Sequence, residues 1–122
     1  MFMEAQEIRG SLDSTADYPN DTVDNVMKYK KSEADRSGLT ESIRTDGVQQ
    51  PVQLVHKRES DGTSATIMGH GHHRVAVASD ISKKTGQAKY VPVVHTEYDH
   101  DQYKPLYSAL DDMHDYYRGA TR

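Results

Sequence analysis

The centre of the sequence places a short apolar segment, a glycine turn and a helix-like pattern directly one after another. Residues 65–68 have the composition of a β-strand. Gly69 and Gly71 follow within a polar, histidine-rich stretch that predicts a turn and not more strand. From His73 onward, small and β-branched residues fit the buried face of a helix that ends at Gly86. We therefore expect an α/β (α+β) fold built around a strand, a glycine turn and a helix.

The segments on either side predict a small mixed β-sheet with flanking helices. Leu39 and Ile43 lie four residues apart and Gly47 follows, which predicts a short helix over 39–46. Residues 52–57 alternate as a strand and form a predicted hairpin with 65–68.

Residues 90–94 predict another strand, in which Pro92 indicates an edge or first-residue position. A helix is also predicted over 22–31, where Lys30 falls in line with three apolar residues at helical spacing. The polar stretch 30–38 is expected to be a loop.

The two ends of the chain are predicted to differ in structure. Residues 1–20 show no sustained period, so 1–38 is interpreted as an arm with one short helix before a core over 39–96. Residues 97–122 carry Tyr and Leu residues at helical spacing over about 102–117, opposite a face of aspartates. This amphipathic helix is expected to pack on its own domain or, alternatively, to dock on a partner.

Composition excludes several classes of protein. At 122 residues the chain is expected to form one domain, and with 34% hydrophobic residues its core should be small. The chain has no cysteine, which excludes disulfides, thiolate metal sites and cysteine nucleophiles. No apolar run approaches the ~20 residues that span a bilayer, and the first residues lack the apolar region of a secretory signal. We therefore expect a cytoplasmic protein without membrane contact.

The turn before the central helix has the residues of an anion site. The net charge of −4 is spread as acidic ends around a mildly basic centre, which suits a compact anion site, although solvated ends explain it equally well. First-turn helix N–H groups bind anions, and the guanidinium of Arg74 can hold two phosphate oxygens. His72 and His73 add imidazole donors. The turn matches neither the dinucleotide fingerprint nor the P-loop, and an ordinary glycine turn with surface histidines is the alternative.

Three motifs together resemble a known family. They are the helix 39–46 that leads through Gly47 into Gln50-Pro51, the Gly-x-Gly-x-His-Arg pattern over 69–74, and the Pro-Val strand over 91–94. Their order and spacing resemble the ParB N-terminal/sulfiredoxin domain, in the version found in small ParB-like proteins of actinobacterial phages. The resemblance covers about 39–95, and the cysteine of sulfiredoxins has no counterpart here.

The resemblance implies a site for a nucleoside triphosphate, CTP or ATP, with Mg²⁺ as an expected companion of hydrolysis. By this resemblance the phosphates would be held by Gly69, Gly71, His72, His73 and Arg74, and the nucleotide would be lined by Gly47, Gln50 and Pro51. Glu41 is a candidate catalytic general base or Mg²⁺ ligand, although an exposed helix glutamate needs no such role. A host cytoplasm, DNA or a host protein as partner, and a homodimer are further expectations.

Two other functions remain open at this point. Some relatives in the family act as nucleases, so cleavage of DNA is one alternative. The other is a non-catalytic protein that binds a host or phage component through its C-terminal helix. No metal site is expected at His70, His72 and His73, although imidazoles can bind Zn, Ni or Cu. His56 and His95 are expected to be ordinary strand-end residues.

Overall fold

The computed structural model describes residues 1–99. They form a mixed α/β structure with a five-stranded mixed sheet and four helices. In chain order the elements are β1 (Phe2–Glu4), α1 (Ala5–Ser11), β2 (Ser14–Thr15), α2 (Val23–Ser37), α3 (Leu39–Asp46), β3 (Val52–Arg58), β4 (Ser64–His70), α4 (His72–Thr85) and β5 (Tyr90–Asp99). Within residues 1–99 no helix has the length and apolar character to cross a membrane.

The sheet has the strand order β1-β5-β3-β4-β2. β3 pairs antiparallel with β4 and parallel with β5, and α4 lies in the connection that makes the parallel pairing possible. The short strands at the two edges pair with opposite sense, because β1 is antiparallel to β5 and β2 is parallel to β4.

The main core lies between one face of the sheet and three helices. Alternate residues of β3 and β5 point to this face, as the two-residue period of a strand requires. They pack against α1, α2 and α4 in a cluster of buried side chains: Ala5, Ile8, Met27, Val52, Leu54, Met68, Val75, Ala76, Ala78, Val91 and Val93. A smaller cluster joins α2, α3 and α4 through Ala34, Ile43, Val77 and Ile81.

The expectation of an irregular segment over 1–20 is wrong. Residues 2–15 form two strands and a helix, and Ala5 and Ile8 are fully buried in the main core. The side chain of Glu4 caps α1 by accepting the N–H groups of Gln6 and Glu7. Elements of two to seven residues are too short to establish a hydrophobic period, which is why the sequence pattern did not reveal them.

The prediction of a loop over 30–38 is also wrong, because α2 continues to Ser37 and is followed by Gly38 in the left-handed conformation. Ala34 is fully buried in this extension and packs in the cluster with Val77 and Ile81 of α4, so a mostly polar segment still lies against α4. The helix predicted over 39–46 is confirmed by α3, and Gly47 follows it at φ 75°.

Two strands run further than the pattern indicated. β4 continues through Gly69 to His70, and β5 continues from the predicted 90–94 to Asp99. β5 is an interior strand, so the edge position expected for Pro92 is wrong. The proline is tolerated because pairing with β3 begins one residue later, at Val93, and Pro92 is paired only with Phe2. The helix predicted over 102–117 lies outside the described residues.

Candidate functional site

Packing within the protein explains why position 71 is glycine. Gly71 is the N-cap residue of α4 at φ 94° and ψ 26°, a left-handed conformation that side chains rarely adopt. A Cβ atom there would lie 2.4 Å from Cγ1 of Val52, well inside contact distance. The turn therefore needs glycine to bring α4 against the first residue of β3, whether or not a ligand binds.

Gly69 belongs to the sheet and not to the helix start. Pairing shifts between Gln53–His70 and Leu54–Met68, which leaves Gly69 as the extra residue of a β-bulge. A Cβ atom at this position would lie 2.9 Å from Oε1 of Gln53. The absence of a side chain at Gly69 thus permits the close approach of β3. The predicted contact of Gly69 with phosphate is therefore left to the residues of the helix turn.

Arg74 joins the helix start to the segment before β3. Its Nη1 donates to the carbonyl oxygens of Gln50 and Pro51, at 3.1 Å and 2.6 Å. Three of the predicted site residues therefore meet at the first turn of α4. Because Nη1 is held by carbonyls, the guanidinium keeps a fixed position beside the helix N-terminus.

His72 is buried and faces a carboxylate. Its exposed fraction is 3%, and its Nδ1 lies 3.6 Å from Oδ2 of Asp17. The same carboxylate oxygen is 3.0 Å from Nζ of Lys30, which is 7% exposed and lies 5.4 Å from the ring centre of Tyr18. His72 is therefore part of an internal charged cluster beneath the helix turn, a position that contradicts its interpretation as a surface donor.

His73 lies on the surface side of the same turn. Its side chain is 38% exposed, and Nε2 lies 3.2 Å from a carboxylate oxygen of Glu33 in α2. An anion that binds to the first turn of α4 would therefore compete with Glu33 for this ring. His73 and Arg74 are the two cationic or donor side chains of the turn that keep surface exposure.

Glu41 and Gly47 lie in α3 and at its end. The carboxylate of Glu41 is 70% exposed and accepts a hydrogen bond from Arg44, one turn further along the same helix. Gly47 ends α3 by donating its N–H to the carbonyl of Ile43. Within residues 1–99 the structure gives Glu41 a helix-surface partner and no hydrogen bond to the turn over 69–74.

The first turn of α4 has groups that can bind an anion. Within residues 1–99 no side chain caps the helix, and its first turn carries no acidic residue, so the helix dipole there is not offset from within α4. Two clefts open elsewhere: one of about 740 Å³ between α1, α2 and α4, and one of about 240 Å³ beside His56 and Glu97. Neither is lined by residues 69–74.

The sequence patterns missed the two carboxylates that face the predicted histidines. Asp17 lies in a segment that was predicted to be irregular, and Glu33 lies in one that was predicted to be a loop. Lys30, which contacts Asp17, did give a signal, since a lysine in line with Val23, Val26 and Met27 indicates a charged group on a buried face. Such a lysine requires a carboxylate partner, and Asp17 is that partner.

A second pair of histidines meets on the sheet. His56 of β3 and His95 of β5 stack with ring centres 5.0 Å apart and an angle of 20° between planes. Burial lowers the pKa of His56, and the nearby His95 ring lowers it further, while Glu97 opposes them. The expectation that both are ordinary strand-end residues is wrong, because β3 continues past His56 to Arg58 and β5 continues past His95 to Asp99. The parallel pairing makes the two histidines diagonal neighbours on one face of the sheet.

Within residues 1–99, no group of three or more histidine, aspartate and glutamate side chains is arranged to hold a metal ion. His70, the remaining histidine of the glycine turn, ends β4 and pairs with Gln53. Comparisons of the chain with family models, with curated proteins and with solved structures give no match. The geometry of the helix turn is therefore the basis on which a function is argued.

Proposed function

We propose that this chain carries a ParB/sulfiredoxin-like domain that binds the phosphates of a nucleotide at the first turn of α4. The binding groups are the N–H groups that follow Gly71, the exposed ring of His73 and the guanidinium of Arg74. Backbone N–H groups and the positive end of the helix dipole favour negatively charged oxygens at this position.

One observation carries the proposal: the bond between Arg74 and the carbonyls of Gln50 and Pro51. It places a guanidinium beside an uncapped helix N-terminus and holds the preceding loop against it. These two bonds fix the position of the guanidinium relative to the first turn of α4. The same bonds fix the loop that, by resemblance, would lie along the nucleotide.

Gln50 and Pro51 form the loop that borders the proposed phosphate site. Both are exposed, and their carbonyls point toward Arg74, so their remaining surface is available to a sugar or base. Gly47 lies three residues before this loop and sets its direction after α3. We therefore place the phosphates at His73 and Arg74 and the nucleoside toward Gln50 and Pro51.

Hydrolysis with Mg²⁺ is a further part of the proposal. Mg²⁺ in such sites is commonly held by substrate phosphates together with one or two carboxylates. Among residues 1–99, Glu33 contacts the surface side of the helix turn through His73, whereas Glu41 faces Arg44. Glu33 therefore replaces Glu41 as the acidic residue to test first.

Calorimetry with CTP, ATP, GTP and their diphosphates, with and without Mg²⁺, tests the proposal directly. We expect at least one triphosphate to bind, and Arg74→Ala to weaken binding at least about tenfold, as loss of a charge-assisted bidentate contact predicts. Arg74→Lys should recover part of the affinity, because it keeps the charge and loses the planar fork.

Arg58→Ala is the matched control, since it removes the same charge six residues along β3 from Val52, roughly 20 Å away at the strand rise. Its affinity should equal that of the unchanged protein. Absence of binding by every nucleotide, or an equal loss in Arg58→Ala and Arg74→Ala, would reject the proposal. DNA cleavage and docking through the C-terminal segment stay alternatives that rest on the sequence, and neither gains an observation from residues 1–99.

A further inference from the structure

Four side chains form a continuous row across four neighbouring strands, far from the turn of α4 in sequence. The row consists of Met1, His95 of β5, His56 of β3 and Thr66 of β4, and we call it the histidine row. Met1 continues the direction of β1, since its carbonyl accepts the N–H of Val93 in β5. The alternation of each strand puts these side chains on the face that carries the main core, beyond the last core residues Val93 and Leu54.

Each imidazole nitrogen of the row has a neighbour. His56 Nε2 lies 2.7 Å from His95 Nδ1, and this central contact joins the two rings. On the outer sides, His56 Nδ1 lies 3.4 Å from the Thr66 hydroxyl, and His95 Nε2 lies 3.2 Å from the sulfur of Met1. The four ring nitrogens therefore take part in three contacts: one between the two rings and one on each outer side.

The outer partners, Thr66 and Met1, determine which ring nitrogens can carry a proton. A thioether sulfur only accepts, so His95 carries its proton on Nε2 and leaves Nδ1 with a free lone pair toward His56. A threonine hydroxyl can both donate and accept, so His56 can carry its proton on either nitrogen. When His56 carries it on Nδ1, both central nitrogens present lone pairs to the same point in space.

We propose that His56 Nε2 and His95 Nδ1 together bind a borderline transition-metal ion such as Zn²⁺, Cu²⁺ or Ni²⁺. Neutral imidazole is the ligand these ions prefer among the side chains present, and metal-bound histidines commonly donate their other N–H to a second partner. Thr66 and Met1 stand in those second positions. The proposal is independent of the proposed nucleotide site.

Binding requires the two rings to separate and to tilt. Two nitrogens bound to one tetrahedral zinc ion at ~2.05 Å lie about 3.3 Å apart, so the rings separate by roughly 0.6 Å from their hydrogen-bonded position and tilt until both lone pairs point at the ion. Binding shifts one proton within the His56 ring, from Nε2 to Nδ1, and releases none while both rings are neutral. Burial of His56 favours that neutral form, because it lowers the pKa of the ring.

A cleft of about 240 Å³ opens on the His56 side of the pair. His56, Arg58 and Glu97 are among the residues that line it, and Glu97 is the direct cross-strand neighbour of His56. Two protein ligands with water in the other positions make a weak, exchangeable site, in keeping with the absence of a three-ligand group among residues 1–99. The carboxylate of Glu97 supplies negative charge near the bound cation.

Titration of the full chain with ZnCl₂, NiCl₂ or CuCl₂ in a non-chelating buffer, followed by calorimetry and by ¹⁵N chemical shifts of the imidazole nitrogens, tests this inference. We expect one ion per chain, with shifts centred on Nε2 of His56 and Nδ1 of His95. His56→Gln and His95→Gln should each weaken binding at least about tenfold, and Thr66→Val should weaken it by a smaller factor.

His73→Gln is the comparison variant, because its ring also lies beside a carboxylate yet belongs to a different part of the protein. Its metal affinity should match that of the unchanged protein. A folded protein that binds no ion up to about 1 mM would overturn the inference. So would binding that is lost in His73→Gln and kept in His56→Gln, or nitrogen shifts that leave both row histidines unchanged. Because the shifts are read on the unchanged protein, a variant that fails to fold does not affect this outcome.

Discussion

The histidines at the start of α4 and the histidines of the row differ in what they face. His72 and His73 each lie beside a carboxylate, from Asp17 and Glu33, in segments that precede the predicted core. His56 and His95 face each other, with a hydroxyl and a thioether outside them. A carboxylate accepts a hydrogen bond from an imidazole N–H, whereas burial and the neighbouring imidazole lower the pKa of His56 and favour its neutral, metal-binding form.

The two regions therefore differ in the neighbours that each gives to its histidines. At the start of α4 the surrounding charges come from α2 and the segment before it, so the turn cannot be understood from residues 69–74 alone. In the row the neighbours come from strand register, and β3 and β5 alone bring the rings together.

The largest loss of stability is expected for Gly71→Ala, which changes the residue that packs the start of α4 against β3. The variant combines a left-handed conformation with a Cβ atom placed 2.4 Å from Val52 Cγ1, so we expect a loss of about 3 kcal/mol in the free energy of unfolding. Gly86→Ala is the control at the other end of α4. It has φ 71° and no atom within 4 Å of its Cβ position, so its loss should stay near 1–2 kcal/mol.

Urea unfolding followed by circular dichroism measures both variants. If the two glycines prove equally sensitive, Val52 does not crowd position 71, and the explanation of that glycine by internal packing is wrong. In the variant that folds, ring contacts of His56 and His95 should remain, because neither glycine lies in β3 or β5.

Lys30→Met tests the buried charge beneath the same turn. Methionine keeps most of the side-chain volume and leaves Asp17 with one cationic neighbour fewer, while His72 remains 3.6 Å from it. We expect a loss of about 2 kcal/mol, less than for a fully buried pair, because the Asp17 side chain is 24% exposed. Lys28→Met, on the exposed side of α2, should change stability by less than about 0.5 kcal/mol in the same unfolding experiment. Equal values for the two lysines would contradict a structural role for the Asp17 cluster.

The contrast between the two regions also shows which features could be predicted from the sequence. The helix over 39–46, the hairpin and the helix before Gly86 followed from spacing, caps and turn residues, because each of these signals is local. The meeting of Arg74 with Gln50 and Pro51 was anticipated only through resemblance. The contact between His56 and His95 depends on a parallel register set by α4 and the core, so no local pattern could reveal it. Nor could any pattern reveal the carboxylate of Asp17, since the two-residue strand before it carries no period.

Glu33→Gln sharpens the comparison from the side of the anion site. It removes the carboxylate that competes for His73, so nucleotide affinity in buffer without Mg²⁺ should rise about 2–5-fold, the scale of an exposed ion pair. With Mg²⁺ present, the proposed role of Glu33 as a ligand of the ion predicts a fall in affinity instead. Calorimetry under the conditions used for the unchanged protein measures the change. Asp24→Asn removes the same charge from α2 near Arg9 and should leave the affinity as it was. A fall in affinity in Glu33→Gln would mean that this carboxylate helps to hold the ligand or its Mg²⁺.

The smallest effect is expected from the titration of His56. Burial, together with the neighbouring His95, holds the pKa of His56 in the folded protein below its value of about 6.5 in the unfolded chain. The unfolded chain therefore takes up the proton first as the pH falls, so stability is complete above about pH 6.5 and decreases below it. Urea unfolding between pH 7.5 and pH 5, in buffer with EDTA, should show this decrease, and His56→Gln should flatten it.

The carboxylates with lowered pKa values do not obscure this window. Glu4, Asp35 and Asp61 titrate below their ordinary values near 4, so their stabilising contributions are lost only at lower pH. A pH dependence that is identical in His56→Gln would mean that the row does not impose neutrality on its rings. The distinction between the two histidine regions would then lose its electrostatic basis, even if the stacked geometry remained.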